Sequence, residues 1–132
     1  MGLYNFQKRF VPFILSGEKT HTIRAKRANP DEPGDICHCY TGLRQKGAQL
    51  LGRWPCVKVE EIRICEVQHA THAGVVPHFT VEIGGVYLDR SDRESLARRD
   101  GFKDFAEMVK FWKEPVNRLP FEGHIIHWKA RV

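Results

Sequence analysis

The sequence lacks any long apolar run, and no window approaches the roughly 20 apolar residues that a membrane-spanning helix requires. Residues 1–6 contain no cationic start followed by an apolar stretch, so no secretory signal is predicted. Internal repeats and low-complexity segments are also missing. These absences argue against membrane, secreted and repeat proteins. They predict a cytoplasmic protein, and nothing in the sequence indicates an obligate protein partner.

Cysteine is scarce and is not spaced for metal binding. The four cysteines are Cys37, Cys39, Cys56 and Cys65. Zinc sites typically contain Cys–x₂₋₄–Cys pairs, and no two of these residues have that spacing. We therefore expect reduced, largely buried thiols, with neither a metal ion nor another cofactor.

The length of 132 residues predicts a single domain, residues 1–132, with one core. The formal net charge is +5, and lysine and arginine occur at many separate places. Such an excess favours a polyanionic partner such as RNA, because bound phosphates release counterions. A mildly basic solvated surface explains the same excess equally well, so charge alone leaves both interpretations open.

The most informative stretch is residues 17–24, Gly-Glu-Lys-Thr-His-Thr-Ile-Arg. Before it, Phe6, Phe10 and Ile14 lie at helical spacing, which predicts a first helix over residues 4–16. Gly17 then stands where a helix would end in a left-handed residue. After the glycine the period changes to two, which predicts a strand over residues 19–25.

On that strand Thr20, Thr22 and Arg24 share one face, and alternation points His21 and Ile23 to the other. With Lys19 at the junction, an ammonium, two hydroxyls and a guanidinium come close together. These groups are suited to bind an oxyanion, a phosphate or a carbonyl. A polar strand edge with solvated cations is the structural alternative.

The run Phe-Ile-Leu-Ser-Gly-Glu-Lys-Thr-His-Thr-Ile-Arg, residues 13–24, resembles the signature of ASCH domains, a branch of the PUA-like barrels associated with RNA. Residues 33–35, 97–102 and 125–128 also resemble family segments and fall in the family's order. The resemblance implies an α+β fold: a small PUA-like (ASCH) β-barrel of five to six strands with two to three flanking helices.

Small bacterial ASCH proteins hydrolyse 4-acetylcytidine with a lysine, a threonine and an acidic residue. The resemblance implies Lys19, Thr22 and Asp100 as catalytic residues, although Asp100 stands where the family has a glutamate. A neutral, desolvated Lys19 would take a proton from Thr22 or from a water. Arg24 would stabilise the oxyanion, and Asp100, with a pKa raised by burial, would protonate the leaving nitrogen.

The predicted function is a metal-independent amidohydrolase that removes the acyl group from 4-acylated cytidine nucleosides. The residues predicted to bind substrate are Arg24, Thr20 and Glu18. If Asp100 is not the acid, the remaining candidate carboxylates are Glu82, Asp104 and Glu107.

An RNA-binding module or a single-stranded RNA endonuclease is the alternative function. Lys19 and Arg24 would then clamp a phosphate, and His21 or Asp100 would serve as base. The aromatic residues that would stack on bases are Trp54, Tyr40 and Trp128.

Other local patterns predict strands over residues 36–40 and 49–64, with a bulge or bend in the second at Glu60–Glu61. Gly84–Gly85 lies between two alternating runs, which predicts a tight hairpin turn. A capping box at Ser91 predicts a helix that ends at Asp100–Gly101. Asp104 is predicted to begin a second helix, and a last strand alternates Ile126, Trp128, Ala130 and Val132.

Overall fold

A computed structural model of the chain describes residues 2–114, 117 and 119–129. Within these ranges the protein is an α+β protein with seven strands in one sheet and three α-helices. The α+β class predicted from the sequence is thus confirmed. Two positions of the predicted last strand, Ala130 and Val132, lie outside the described residues.

The strands are β1 (Gly2–Phe6), β2 (His21–Ala25), β3 (Ile36–Thr41), β4 (Gln49–Thr71), β5 (Gly74–Ile83), β6 (Val86–Tyr87) and β7 (Phe121–Trp128). The helices are α1 (Val11–Ser16), α2 (Arg90–Arg99) and α3 (Phe105–Trp112), and a short 3-10 helix covers Lys8–Phe10.

The 23-residue strand β4 connects all the other strands. Residues 49–55 of β4 pair antiparallel with β3, residues 56–64 with β7 and residues 62–71 with β5. β1 lies parallel to β3, β2 lies antiparallel to β7, and β6 lies beside β5. One end of β4 therefore carries β3 and β1, and its middle carries β7 and β2.

The sheet does not close into a barrel through backbone pairing in the described part of the chain. β1 and β2 approach each other through side chains: Arg24 Nη2 donates to the Asn5 carbonyl at 2.8 Å, and Arg27 Nη2 donates to the Leu3 carbonyl at 3.4 Å. We call this junction the side-chain seam. The closed barrel predicted from the sequence is therefore not confirmed.

The predicted helix over residues 4–16 is wrong in its first part, because residues 2–6 form strand β1. Tyr4 and Phe6 are buried while Leu3 and Asn5 are exposed, which is the alternation of a half-buried strand. Phe6 fits both this period of two and the helical spacing to Phe10. The parallel partner β3 decides the outcome, and that partner is 35 residues away in the register.

Two further local predictions are wrong. The register of β4 with β7 is continuous through Glu60–Glu61, and the irregularity lies between Cys56 and Lys58. Helix α2 begins earlier than Ser91, because the Asp89 side chain accepts from the Asp92 amide at 2.8 Å and caps the helix.

The predictions based on glycine and on aspartate caps are confirmed. Gly84 and Gly85 have φ of 59° and 81°, and they connect β5 to β6. A turn with two positive φ values matches the right-handed twist of the strands it connects. The Asp104 side chain accepts a hydrogen bond from the Glu107 amide at 2.8 Å, so Asp104 caps the start of α3, as predicted.

The cysteines are free thiols, as predicted: Cys37, Cys39 and Cys56 are buried and Cys65 is half-buried. Burial raises the pKa of the Cys39 thiol to about 12. Burial also raises the pKa of Cys37 and Cys56. In the described ranges, no helix has the length and apolar character needed to cross a membrane.

Candidate active site

The candidate site lies where the C-terminal ends of α1 and α2 meet. Gly17 ends α1 with φ of 84°, and the chain then turns so that the Lys19 amide donates to the Phe13 carbonyl at 2.9 Å. Gly101 follows α2 with φ of 99°, and a Cβ there would lie 2.9 Å from the Phe10 ring. Only glycine therefore allows the end of α2 to pack this closely on Phe10, in the 3-10 helix that precedes α1, and that packing brings Asp100 to Lys19.

Lys19 and Asp100 form a buried ion pair. Lys19 Nζ donates to Asp100 Oδ1 at 2.5 Å and to the Asp100 carbonyl oxygen at 2.9 Å. The two residues are only 3% and 7% exposed. The ammonium also lies 5.1 Å from the centroid of the Phe10 ring. A cation at the C-terminal end of α2 is further stabilised by the helix carbonyls.

Asp100 is a carboxylate in this setting. Burial acts to raise its pKa, but the charge of Lys19 and the proximity of His21 outweigh burial, so the pKa of Asp100 lies below its ordinary value. The expectation that burial would raise the pKa of Asp100 is therefore wrong. The sequence alone could not show that an ammonium contacts this carboxyl.

Thr22 and Arg24 form the second part of the site. Arg24 Nε donates to Thr22 Oγ1 at 2.9 Å, so the oxygen of the buried hydroxyl is fixed and its proton is free to donate elsewhere. The guanidinium lies over the rings of Tyr4 and Phe6 at 5.4 and 5.0 Å. Burial, together with the neighbouring Arg27, lowers the pKa of Arg24.

These side chains open into one pocket of about 470 Å³ next to the side-chain seam. Lys19, Thr22, Arg24 and Asp100 all contribute to its wall. The other lining residues are Asn5, Phe6, Gln7, Phe10, Ile23, Ala25, Phe111, Trp112, Asn117 and Phe121. Five of the fourteen lining residues are aromatic and three have amide side chains, and the charged groups are the Lys19–Asp100 ion pair and Arg24. A flat, largely uncharged ligand suits such a surface.

Thr20 and Glu18, predicted to bind substrate, do not line this pocket. Thr20 is half-buried, and its carbonyl oxygen accepts from the Trp128 amide at 2.9 Å. Glu18 is exposed. The structure brings Lys19, Thr22 and Arg24 together, as the alternation on β2 predicted.

The other candidate carboxylates lie elsewhere. Glu82 is 3.8 Å from Arg63, and Glu107 is 2.7 Å from Arg9. Asp104 caps α3. Among these carboxylates, Asp100 is the one that lines the pocket with Lys19.

His21 was expected to point away from Thr22 and Arg24, and it does not line the pocket, but it contacts Asp100, which was not expected. Its Nε2 lies 3.0 Å from Asp100 Oδ1, and the residue is 2% exposed. Asp100 lies across the start of β2, so it reaches Lys19 and also the opposite face of the strand. No sequence pattern indicated this contact. The aromatic wall was also missed, because Phe111, Trp112 and Phe121 reach the pocket only through long-range packing.

The aromatic residues proposed for base stacking do not form an open platform. Trp128 is 3% exposed, and its ring already stacks on Trp54 at 5.8 Å with 13° between the planes. Trp128 therefore offers no free face to a base. Tyr40 is half-buried on β3 and does not line the pocket.

The residues that the structure describes include no group of three or more His, Cys, Asp or Glu side chains that could hold a metal ion. A scan against protein-family models and searches of curated proteins and of solved structures found no match to this chain.

Proposed function

We propose that this protein is a metal-independent amidohydrolase that removes the acyl group from 4-acylated cytidine, built on a PUA-like (ASCH) fold. The observation that carries the proposal is the buried contact between Lys19 Nζ and Asp100 Oδ1, in one pocket with Thr22. A lysine, a carboxylate and a hydroxyl can supply the base, the acid and the nucleophile of amide hydrolysis without a metal ion.

The pocket supports a substrate of nucleoside size. Its volume of about 470 Å³ falls in the range of small-molecule sites, roughly 300–1,000 Å³. Aromatic rings such as Phe111 and Phe121 offer apolar surface to a pyrimidine ring, and Asn5, Gln7 and Asn117 offer polar groups to its edge. A neutral acylated base enters such a pocket more readily than a chain of phosphates.

The proton chemistry begins from the ion pair. Transfer of one proton from Lys19 to Asp100, along the 2.5 Å contact, converts the pair into an amine and a carboxylic acid. A substrate that displaces water favours this neutral form, because burying charges is costly. Lys19 is then a base and Asp100 is then an acid.

The neutral amine of Lys19 takes a proton from the nucleophile, a water or the Thr22 hydroxyl, as its oxygen bonds to the acyl carbon. The carbonyl oxygen gains charge, which the remaining N–H groups of Arg24 stabilise. The bond from the acyl carbon to the cytosine N4 then breaks, and Asp100 donates its proton to N4. If Thr22 attacks, a water then hydrolyses the resulting ester. Both routes consume one water and restore the ion pair.

The test is to incubate the pure protein separately with 4-acetylcytidine and with a single-stranded oligoribonucleotide. We expect release of acetate and cytidine and no cleavage of the RNA. Lys19→Ala should lower kcat by roughly 10²–10⁴-fold, the usual contribution of a general base. Lys19→Arg should be nearly as inactive, because a guanidinium does not give up its proton near neutral pH.

The matched control is Lys26→Ala, because Lys26 is an exposed lysine that does not line this pocket. We expect its kcat to equal that of the wild type. An active Lys19→Arg variant would mean that position 19 supplies only charge. Cleavage of the RNA without turnover of the nucleoside would instead support the endonuclease alternative.

A further inference from the structure

The buried imidazole of His21 takes no part in the chemistry described above. It is 2% exposed, and its Nε2 lies 3.0 Å from Asp100 Oδ1. The two atoms are within hydrogen-bond distance, but the ring N–H is not aligned with the oxygen, and Nε2 has no other partner among the described residues. A buried donor without an aligned acceptor is rare in folded proteins.

The aligned position on the same oxygen belongs to Lys19, whose Nζ lies 2.5 Å from Oδ1. In the proposed reaction, Lys19 must turn from Asp100 towards the nucleophile. Asp100 would then lose its main partner while it is still enclosed by protein. His21 Nε2, 3.0 Å from the same oxygen, is then the donor within hydrogen-bond distance of Asp100.

We propose that His21 is a positioning residue, which donates to Asp100 Oδ1 in the resting ion pair and holds the carboxyl group in place when Lys19 leaves it to act on the substrate. The proposal rests on the proposed function for its kinetic consequences only. The contact itself belongs to the folded protein. His21 does not line the pocket, so it acts through Asp100 and not on the substrate.

Other ionisable groups surround this contact. The His127 ring on β7 lies 5.6 Å from the His21 ring, and His127 Nε2 lies 2.8 Å from Glu60 Oε1 on β4. Lys58 lies 3.4 Å from the same carboxylate of Glu60. Arg24, on β2, is close enough to interact electrostatically with Asp100. Any pH profile of the site therefore contains contributions from these groups, and a test must compare variants at His21 alone.

Two polar substitutions separate a donor to Asp100 from a packing role. In His21→Gln the amide nitrogen takes the place of Nε2 and still reaches Asp100, whereas in His21→Asn it takes the place of Nδ1 and does not. The readout is the carboxyl pKa of Asp100, followed by ¹³C NMR from neutral pH to about pH 3 and assigned by its absence in Asp100→Asn. His78→Asn, on an exposed part of β5, is the control.

We expect the pKa of Asp100 to be similar in the wild type, His78→Asn and His21→Gln, and to be higher by roughly one pH unit in His21→Asn. Equal values in both His21 variants and the wild type would overturn the proposal. A shift of equal size in Gln and Asn would also overturn it, because the donor position would then not matter.

The kinetic measurement uses 4-acetylcytidine. In His21→Asn we expect kcat to fall roughly tenfold and its acidic limb to move to higher pH, with KM unchanged, since a lost hydrogen bond to a charged group is worth about this factor. His21→Gln should restore both. A wild type without turnover would refute the proposed function, while the NMR titration would still decide the role of His21.

Discussion

Replacing Lys19 and Asp100 one at a time should destabilise the protein far more than replacing both. Lys19→Met leaves a buried carboxylate beside His21, and Asp100→Leu leaves a buried ammonium whose remaining acceptor is the carbonyl of residue 100. Removing one partner of a buried pair typically costs about 3–5 kcal/mol. Replacing both partners by apolar residues is often neutral or stabilising, because no charge is left unpaired.

The magnitude follows from the burial of the two side chains, which are 4% and 9% exposed. Little solvent screening is available, so we expect each single variant to lose about 3–5 kcal/mol of the free energy of unfolding. A typical domain has about 5–15 kcal/mol in total, so each loss is a large fraction of it. At about 3–5 °C per kcal/mol for this length, Tm should fall by roughly 10–20 °C. We expect the free energy of unfolding of the double variant Lys19→Met/Asp100→Leu to lie within about 2 kcal/mol of that of the wild type.

The assay is urea denaturation followed by tryptophan fluorescence, with the free energy of unfolding extrapolated to water. The matched control is the surface pair of Arg9 and Glu107, at 2.7 Å with side chains 42% and 36% exposed. The cycle built from Arg9→Met and Glu107→Leu should give a coupling below about 1 kcal/mol. If the losses in the free energy of unfolding were additive at Lys19 and Asp100, the two residues would not be coupled as a buried ion pair. Single variants as stable as the wild type would refute it as well.

The pH dependence has a defined sign. Because the pKa of Asp100 is lowered in the folded state, its contribution is present above its ordinary value of 3.8 and is lost as the pH falls through the lower native value. The difference in stability between the wild type and Asp100→Leu should therefore be constant near neutral pH and shrink in acid. A difference that grows on acidification would contradict the assignment of Asp100 as a carboxylate.

Two further predictions concern the substrate and the thiols. Turnover of 4-acetylcytidine should depend weakly on salt, whereas any RNA affinity should fall by about 0.7 log units per log unit of salt for each phosphate contacted. Tight RNA binding with a steep salt dependence and no nucleoside turnover would favour an RNA-binding function over the hydrolase. In the native protein a thiol reagent should modify Cys65 first, because burial raises the pKa of Cys37, Cys39 and Cys56. Rapid modification of all four would contradict the burial.

The sequence predicted best what local geometry controls. Gly17 and Gly101 follow helices at positions where the backbone has positive φ, which glycine adopts without strain. This signal is local, so it can be recognised from the sequence without knowledge of long-range contacts. Lys19, Thr22 and Arg24 were placed together correctly because a strand repeats every two residues. Asp100 was chosen from the resemblance, and its contact with Lys19 agrees with that choice.

What the sequence could not predict depends on partners far along the chain. Strand β1 forms beside β3, and in isolation Phe6 fits a helix as well as a strand. His21 meets Asp100 because the end of α2 packs on Phe10, and the two contacting residues are 79 positions apart in the sequence. Periodicity within one segment contains no information on such contacts. Long-range packing also determines the aromatic wall of the pocket.

The side-chain seam has a mechanical consequence. Asn5 and Phe6 line the pocket from β1, Gln7 lines it just after β1, and Thr22 and Arg24 line it from β2. Because Arg24 and Arg27 connect these strands through flexible side chains, the two walls can separate without breaking a hydrogen bond of the backbone ladder. The pocket can therefore widen at the side-chain seam, on one edge of β2, whereas the other edge of β2 is held by its backbone pairing with β7. Under the proposed function, we expect acyl groups of different length to be accommodated there by widening, without a change in the distance between Lys19 and Asp100.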